Sequence, residues 1–200
     1  FVRTFDGAPS GNWWIILDLA ASVHSGEGDA STLEQSITLA ASLLEIGLQA
    51  GHAIGLIAHS AEPVWLPPAR SDTQRWAVLR KLAVIEPGDY PLAPLLRRSG
   101  ETLGRAASVV VITPSTDPVW LGPLLLLRQR DLAPTVMLLP GEHKRPQMEA
   151  LRNLLRQQSV AAYVLASETL KPAFDPAKMQ GRWEWHTTAL GRAVAVHRPQ

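Results

Sequence analysis

The chain predicts a three-layer α/β sandwich, a mostly parallel doubly wound sheet, on three observations. Apolar runs of strand length alternate with longer segments of helical period, the signature of strands and helices in succession. One run, Trp13-Trp14-Ile15-Ile16-Leu17, has no polar break and gives way to Asp18 and then to small residues. That is how a central strand buried on both faces reads when a carboxylate stands at its carboxyl end. Apolar residues make up 46% of the 200, enough to build one large core. In open α/β sheets ligands sit in the crevice beyond the strand carboxyl ends, so Asp18 is the first candidate site residue.

Residues 1–12 are a mixed, glycine-containing lead-in that allows a short strand. The first core strand spans Trp13 to Leu19, followed by a long polar loop, His24 to Ala30. Ser31 and Glu34 have capping-box spacing and open the first helix. Leu33, Ile37, Ala40, Leu44 and Leu48 share one face of it, and Leu39, Leu43 and Ile46 supply a second. Gly51 stands where a left-handed cap would stop it. Ala53 to His59 is the second strand. Pro63 to Pro68 is a short strand bracketed by prolines, which confine it to a sheet edge. The tight link between them requires an antiparallel hairpin.

Ser71 or Asp72 caps a helix through Trp76, Leu79 and Leu82, and Glu86 to Tyr90 is a turn. Pro91 starts a helix that Gly104 should end, with Pro94 in its first turn. Ser108 to Thr113 is the cleanest buried strand. Asp117 caps the next helix with Pro118 at its first position, and that helix carries Leu121, Leu124, Leu125 and Leu127. Thr135 to Leu139 and Val160 to Leu165 are strands, separated by a helix from Pro146 to Gln158 with Met148, Leu151, Leu154 and Leu155 on one face. Trp183 to Trp185 and Arg192 to Val196 form a C-terminal β-hairpin. The whole is expected to be one domain over 1–200, with its α/β core at 13–166 and a hairpin-bearing extension at 167–200.

Bulk properties exclude several functions. A formal net charge of +1 argues against electrostatic binding of nucleic acid. The tight basic clusters, Arg97-Arg98 and His143-Lys144-Arg145, read as solvated helix ends. Without cysteine there is no thiol catalysis, thiolate metal site or disulfide. No apolar stretch reaches the ~18 residues of a membrane span. The chain opens on Phe1 with no signal peptide, as expected of a soluble piece cut from something longer.

Gly26-Glu27-Gly28-Asp29-Ala30-Ser31 imitates a phosphate loop, but it lies too far beyond the first strand and carries two acidic residues that repel phosphate. No Gly-x-Ser-x-Gly elbow exists, Ser22 and His24 are badly spaced for catalysis, and no histidines have metal-ligand spacing, so no enzyme is expected. His59, at a strand end, reads as a partner in a local hydrogen-bond network. Of the 7 tryptophans, Trp13, Trp14 and Trp76 are expected in the core, and Trp183 and Trp185 as caps on one side of the hairpin.

An apolar strand ending Asp-x-Ser-x-Ser before a long helix opens a von Willebrand factor A-type domain, and the segment at Asp18 resembles it. More closely, the chain is similar to the bacterial family known as domain of unknown function 58. The likeness lies in Phe1-Val2-Arg3-Thr4-Phe5, Leu39-Ala40-Ala41-Ser42-Leu43, Gly55-Leu56-Ile57, Trp65-Leu66-Pro67-Pro68, Leu79-Arg80-Lys81-Leu82-Ala83 and Val110-Val111-Ile112-Thr113, over about Phe1 to Leu139. The resemblance implies a von Willebrand factor A-like fold in an interaction module without known catalysis. It also implies a full-length protein anchored in the membrane, this domain on the cytoplasmic face, and a MoxR-type AAA+ ATPase as a possible partner.

In von Willebrand factor A domains that motif helps hold magnesium, which takes a carboxylate from the partner. Asp18 matches the aspartate and Ser22 the second serine, but Ala20 replaces the first serine and has no oxygen. Tyr90 replaces the threonine of the family's turn, with Asp89 beside it. After Ile112-Thr113 the family's last aspartate is absent and the nearest carboxylate is Asp117. Magnesium demands six oxygens in tight geometry, so a degenerate site and no cofactor are expected. An ion, if held, would fall to Asp18 and Ser22 with Asp89 or Asp117, or with Glu27 or Asp29 from the loop. Otherwise Asp18 bonds to Ser22 or to loop amides. The expected function is protein binding or scaffolding at a strand-end surface rimmed by Asp18, Ser22, Tyr90, Thr113, Ser115 and Asp117. A magnesium-dependent protein-binding module and a nucleotide or small-molecule binder are the alternatives.

Overall fold

The computed structural model describes residues 12–104, 107–141 and 144–165, together with the backbone of two strands at 181–187 and 193–199. The lead-in, His143 and the side chains of Trp183 and Trp185 lie outside the described residues, as does the turn between the last two strands.

The chain divides into two units, Phe1–Leu170 and Lys171–Gln200. The first holds strands β1 (Asn12–Leu17), β2 (Ala53–His59), β3 (Pro63–Ala69), β4 (Ser108–Thr113), β5 (Ala133–Leu138) and β6 (Ala161–Val164). Its helices are α1 (Thr32–Gln49), α2 (Asp72–Ala83), α3 (Leu92–Thr102), α4 (Leu121–Gln129) and α5 (Arg145–Gln157). The sheet order is β3-β2-β1-β4-β5-β6, parallel throughout except for β3, which runs antiparallel to β2 at the edge. In the second unit β7 (Gly181–Thr187) and β8 (Ala193–Pro199) pair antiparallel, the predicted hairpin.

Strand period sorts the core into two layers. Trp14, Ile16, Val109, Val111, Val136 and Leu138 point to one face, where α3, α4 and α5 cover them. Ile15, Leu17, Leu56, Val110, Ile112 and Met137 point to the other, under α1 and α2. The central strands are therefore apolar at every position because both faces are covered.

Local signals place the helix ends. Ser31 and Ser71 accept from the amides of Glu34 and Gln74 to cap α1 and α2, and Asp117 accepts from the Val119 amide. Gly51 takes φ +80° just past α1. The end of α3 differs slightly from expectation: Leu103 turns to an extended conformation, so the last helical residue is Thr102, two before Gly104.

Three apolar side chains depart from the expected core. Trp76 is 52% exposed, because it lies two positions from Val78 and so on the far side of α2 from the buried Val78 and Leu82. Leu154 is 46% exposed beside the buried stripe Met148–Leu151–Leu155, and Ile46 is 58% exposed on α1.

At the β3 edge, Trp14 leans across β2 to meet Trp65 with ring centroids 5.0 Å apart. It passes over Gly55, its partner in the β1–β2 register, where the β2–β3 register also shifts. A Cβ at Gly55 would stand 2.7 Å from Trp14 Cε3 and 2.9 Å from the Leu66 carbonyl oxygen. Gly55→Ala should therefore destabilise the domain by about 1–3 kcal/mol, the scale of overpacking. Gly122→Ala, whose added methyl meets nothing within 4 Å, should leave stability unchanged or raise it slightly. Urea unfolding of the two variants checks the contrast.

Candidate functional site

Parallel register builds the site. The β1–β4 pairing ends with Leu17 opposite Ile112, so the next residues in line, Asp18 and Thr113, face each other across the strand ends. The Asp18 amide continues the ladder by donating to the Ile112 carbonyl at 3.0 Å. Strand parity turns both side chains to the same face. There the Thr113 hydroxyl donates to Asp18 Oδ2 at 2.6 Å, and the Ala20 amide donates to Oδ1 at 3.2 Å. Thr113 Oγ1 in turn accepts from the Ser115 amide at 3.0 Å, which fixes the loop leaving β4.

Further bonds close over this pair. Gly88 donates its amide to the Leu19 carbonyl at 2.8 Å, and its own carbonyl accepts from the Ala21 amide at 2.7 Å. The turn before α3 is thus laid across the exit of β1. A side chain at Gly88 would meet the backbone oxygen of Ser60 at 2.6 Å, so this approach requires glycine. The Ser60 hydroxyl holds the same turn by donating to the Glu86 carbonyl. The Tyr90 ring stacks on His59, centroids 4.0 Å apart and planes within 12°.

His24 reaches in from the polar loop. Its Nε2 lies 3.0 Å from the Asp18 carbonyl oxygen, which can only accept, so Nε2 carries a proton. Nδ1 lies 3.2 Å from Thr32 Oγ1, whose hydroxyl also lies within donating distance of the Ser25 carbonyl, at 3.3 Å. Thr32, at the start of α1, also accepts from the Ser25 amide and pins the loop. Burial pushes the Asp18 carboxyl up from its ordinary value, opposed by the Thr113 and Ala20 bonds. Burial likewise lowers His24, opposed by its bond to the Asp18 carbonyl.

Of the six residues expected to rim a contact surface, Asp18, Thr113 and Ser115 lie beneath the surface, with Asp18 1% exposed and Thr113 fully buried. Ser22 and Asp117 are exposed, and Tyr90 is half-buried. Asp18 bonds to a loop amide as expected, but its side-chain partner is Thr113, not Ser22. His59 joins a local network as expected, its Nδ1 donating to the Ser60 carbonyl at 2.9 Å. His24, Thr32 and Gly88 hold the site together and carried no sequence signal for it. They do so through bonds whose partners only the fold brings near.

A magnesium ion of the adhesion type does not fit these residues. Both carboxylate oxygens of Asp18 already accept hydrogen bonds, Ala20 supplies no hydroxyl, and Asp117 caps a helical turn. Among the described residues, no group of three or more His, Asp or Glu side chains could hold a metal.

Two predictions come from this network. Thr113→Val keeps the shape but strands the Asp18 carboxylate and the Ser115 amide, and should cost about 3 kcal/mol in urea unfolding. Thr113→Ser, which keeps the hydroxyl, should recover most of that. The second concerns pH. Asp18, raised by burial, binds more protons folded than unfolded, so its contribution to stability falls as pH rises from about 4 through its folded value. His24, lowered by burial, binds fewer protons folded, so stability falls as pH drops below about 6.5. Asp18→Asn should remove only the first dependence: its stability relative to the parent should climb with pH above about 4, whatever the offset.

With this geometry described, comparison with known proteins identifies the fold. The aerotolerance-related membrane protein of Bacteroides fragilis NCTC 9343 superposes with a TM-score of 0.57 at 15% identity, over 82% of this chain and 94% of that one. The pilus adhesin SpaC of Lactobacillus rhamnosus GG matches with a TM-score of 0.56 at 12% identity, over 84% of this chain and 30% of its own. The von Willebrand factor type A protein of Catenulispora acidiphila matches with 0.52 at 14%, over 84% of this chain and 40% of its own. No curated protein matches by sequence. The sheet is thus von Willebrand factor A-like, and the expected fold class is the one found. Residues 1–148 match the family described as Protein of unknown function DUF58, and the chain belongs to that family.

Proposed function

We propose that this domain is a non-catalytic protein-interaction or scaffolding module whose strand-end site is held shut by hydrogen bonds, where an adhesion domain would hold an ion. One observation carries this reading. The buried Asp18 carboxylate accepts on both oxygens from its own chain, and the Gly88 turn is bonded to the backbone on either side of Ala20, which supports a strand end tied up within the domain. What remains for a partner is the outer rim: Ser22, Asp89 and Asp117, with Val119 66% exposed beside them.

The similarity to a membrane protein and to an adhesin supports a docking role within a larger assembly. Among the described residues no helix is long and apolar enough to cross a membrane. In this reading the full-length protein is tethered to the membrane, its domain faces the cytoplasm, and a MoxR-type AAA+ ATPase is the partner to test first. A photo-crosslinking residue placed at Ser22 or Asp89 of the intact protein should capture that partner, and Ser22→Arg with Asp89→Arg should abolish capture without changing the melting temperature. Titration with magnesium or manganese should give no saturable rise in melting temperature. A saturable rise, lost in Asp18→Ala, would instead establish the ion-dependent module.

A further inference from the structure

An open groove lies on the flank of this site. It has a volume of about 300 Å³ and lies between α3 and the β2–β3 edge. Its walls include Ile57, Val64, Trp65 and Leu95, and His59 stands at the end nearest the strand-end site. The volume falls at the lower end of the range for ligand pockets, room for one large side chain.

The polar groups of the groove are few. The Ser99 hydroxyl donates to the Leu95 carbonyl at 2.7 Å, and the Thr102 hydroxyl donates to the Arg98 carbonyl at 3.2 Å. Both are turned into their own helix. His59 gives its Nδ1 to the Ser60 carbonyl, and Trp65 brings an indole N–H. The one guanidinium among the lining residues is that of Arg98, which is exposed, has no ion pair among the described residues and has no acidic residue among those lining the groove. An apolar slot with one free cation at its lip selects an apolar group joined to an anion. Entry as an added strand is disfavoured, because Pro63, Pro67 and Pro68 remove backbone donors from β3.

We infer that this groove receives a linear segment of a protein partner in which a large apolar side chain enters the slot and an adjacent carboxylate pairs with Arg98. This rests on the reading of the domain as an interaction module and adds to it a second surface and the chemistry of what that surface takes.

The test uses N-acetyl-L-phenylalanine as the probe and N-acetyl-L-phenylalaninamide as its uncharged counterpart, titrated into the whole chain with backbone NMR as the readout. The acid should shift resonances in the Ile57–Trp65 and Leu95–Thr102 segments and bind about three- to fivefold more tightly than the amide, the scale of an exposed ion pair. Arg98→Gln should erase that preference, and Thr102→Trp, at an exposed position beside the groove, should weaken both probes by filling it. High salt should reduce the preference for the acid and leave the amide unchanged. Equal binding of acid and amide, an unchanged preference in Arg98→Gln, or no shifts in these segments overturns the inference. Capture of a partner at the rim alongside any of these leaves the interaction reading standing. Selective binding of the acid with no capture at the rim overturns the rim and keeps the groove.

Discussion

The hydrogen bond from Thr113 to Asp18 is the contact on which the strand-end architecture depends. A carboxylate at 1% exposure loses most of its hydration, and an unpaired charge there would be strongly destabilising. Two donors from the chain itself offset that loss. The first is a hydroxyl on the neighbouring strand, and the second is an amide two residues on. The same hydroxyl accepts from Ser115, so one pair of side chains fixes the loops leaving both β1 and β4. A later part of the loop leaving β1 is tied back through the backbone carbonyl of Asp18, to which His24 donates. The geometry is inherited from the sheet: once Leu17 pairs with Ile112, the next residues must meet, and parity sends both to the α3 face.

This arrangement determines which surfaces remain for other molecules. Strand ends in α/β sheets normally leave a crevice, and here the Gly88 turn is bonded to the backbone on either side of Ala20, at the mouth of β1. The contacts left at the top are exposed side chains on loops. The concave space lies to one side, where α3 and the antiparallel edge strand do not fully close over Trp65. That edge is itself a product of packing constraint: Trp14 crosses β2 only because position 55 carries no side chain, and the register shift there accompanies the crossing.

Most of the fold was legible in the sequence because its signals are local. Apolar runs marked every strand of the sheet, prolines marked β3 as an edge, and Ser31, Ser71 and Asp117 marked helix starts. Where the reading failed, a general preference had outweighed phase. Trp76 reads as core by its apolarity, although its position relative to Val78 and Leu82 puts it on the outer side of α2. The site was legible in its members and not in its wiring. Asp18 and Thr113 stand 95 positions apart, and their pairing is a property of strand register, which no spacing rule encodes. Gly88 carries no mark that a turn will approach Ser60 closely, and Thr32 reads as a helix-start residue with no sign that a histidine will reach it.

The departures from the adhesion motif are consistent with one another. An ion-dependent site needs oxygens whose lone pairs are free, and it works by presenting positive charge to a partner's carboxylate. Here Ala20 contributes an amide where a hydroxyl would stand, and that amide satisfies one oxygen of Asp18. Tyr90, which the resemblance sets in place of the family's threonine, stacks its ring on His59. His59 in turn lines the flanking groove, and its Nδ1 is held by the Ser60 carbonyl, so the ring is fixed from two directions. In the proposed reading, the residue that departs from the motif at Tyr90 thus packs against the wall of the neighbouring groove. There the available positive charge is the Arg98 guanidinium, which needs no metal. In the proposed reading, a module of this kind still recognises a carboxylate, through Arg98 beside an apolar slot and not through an ion above the sheet.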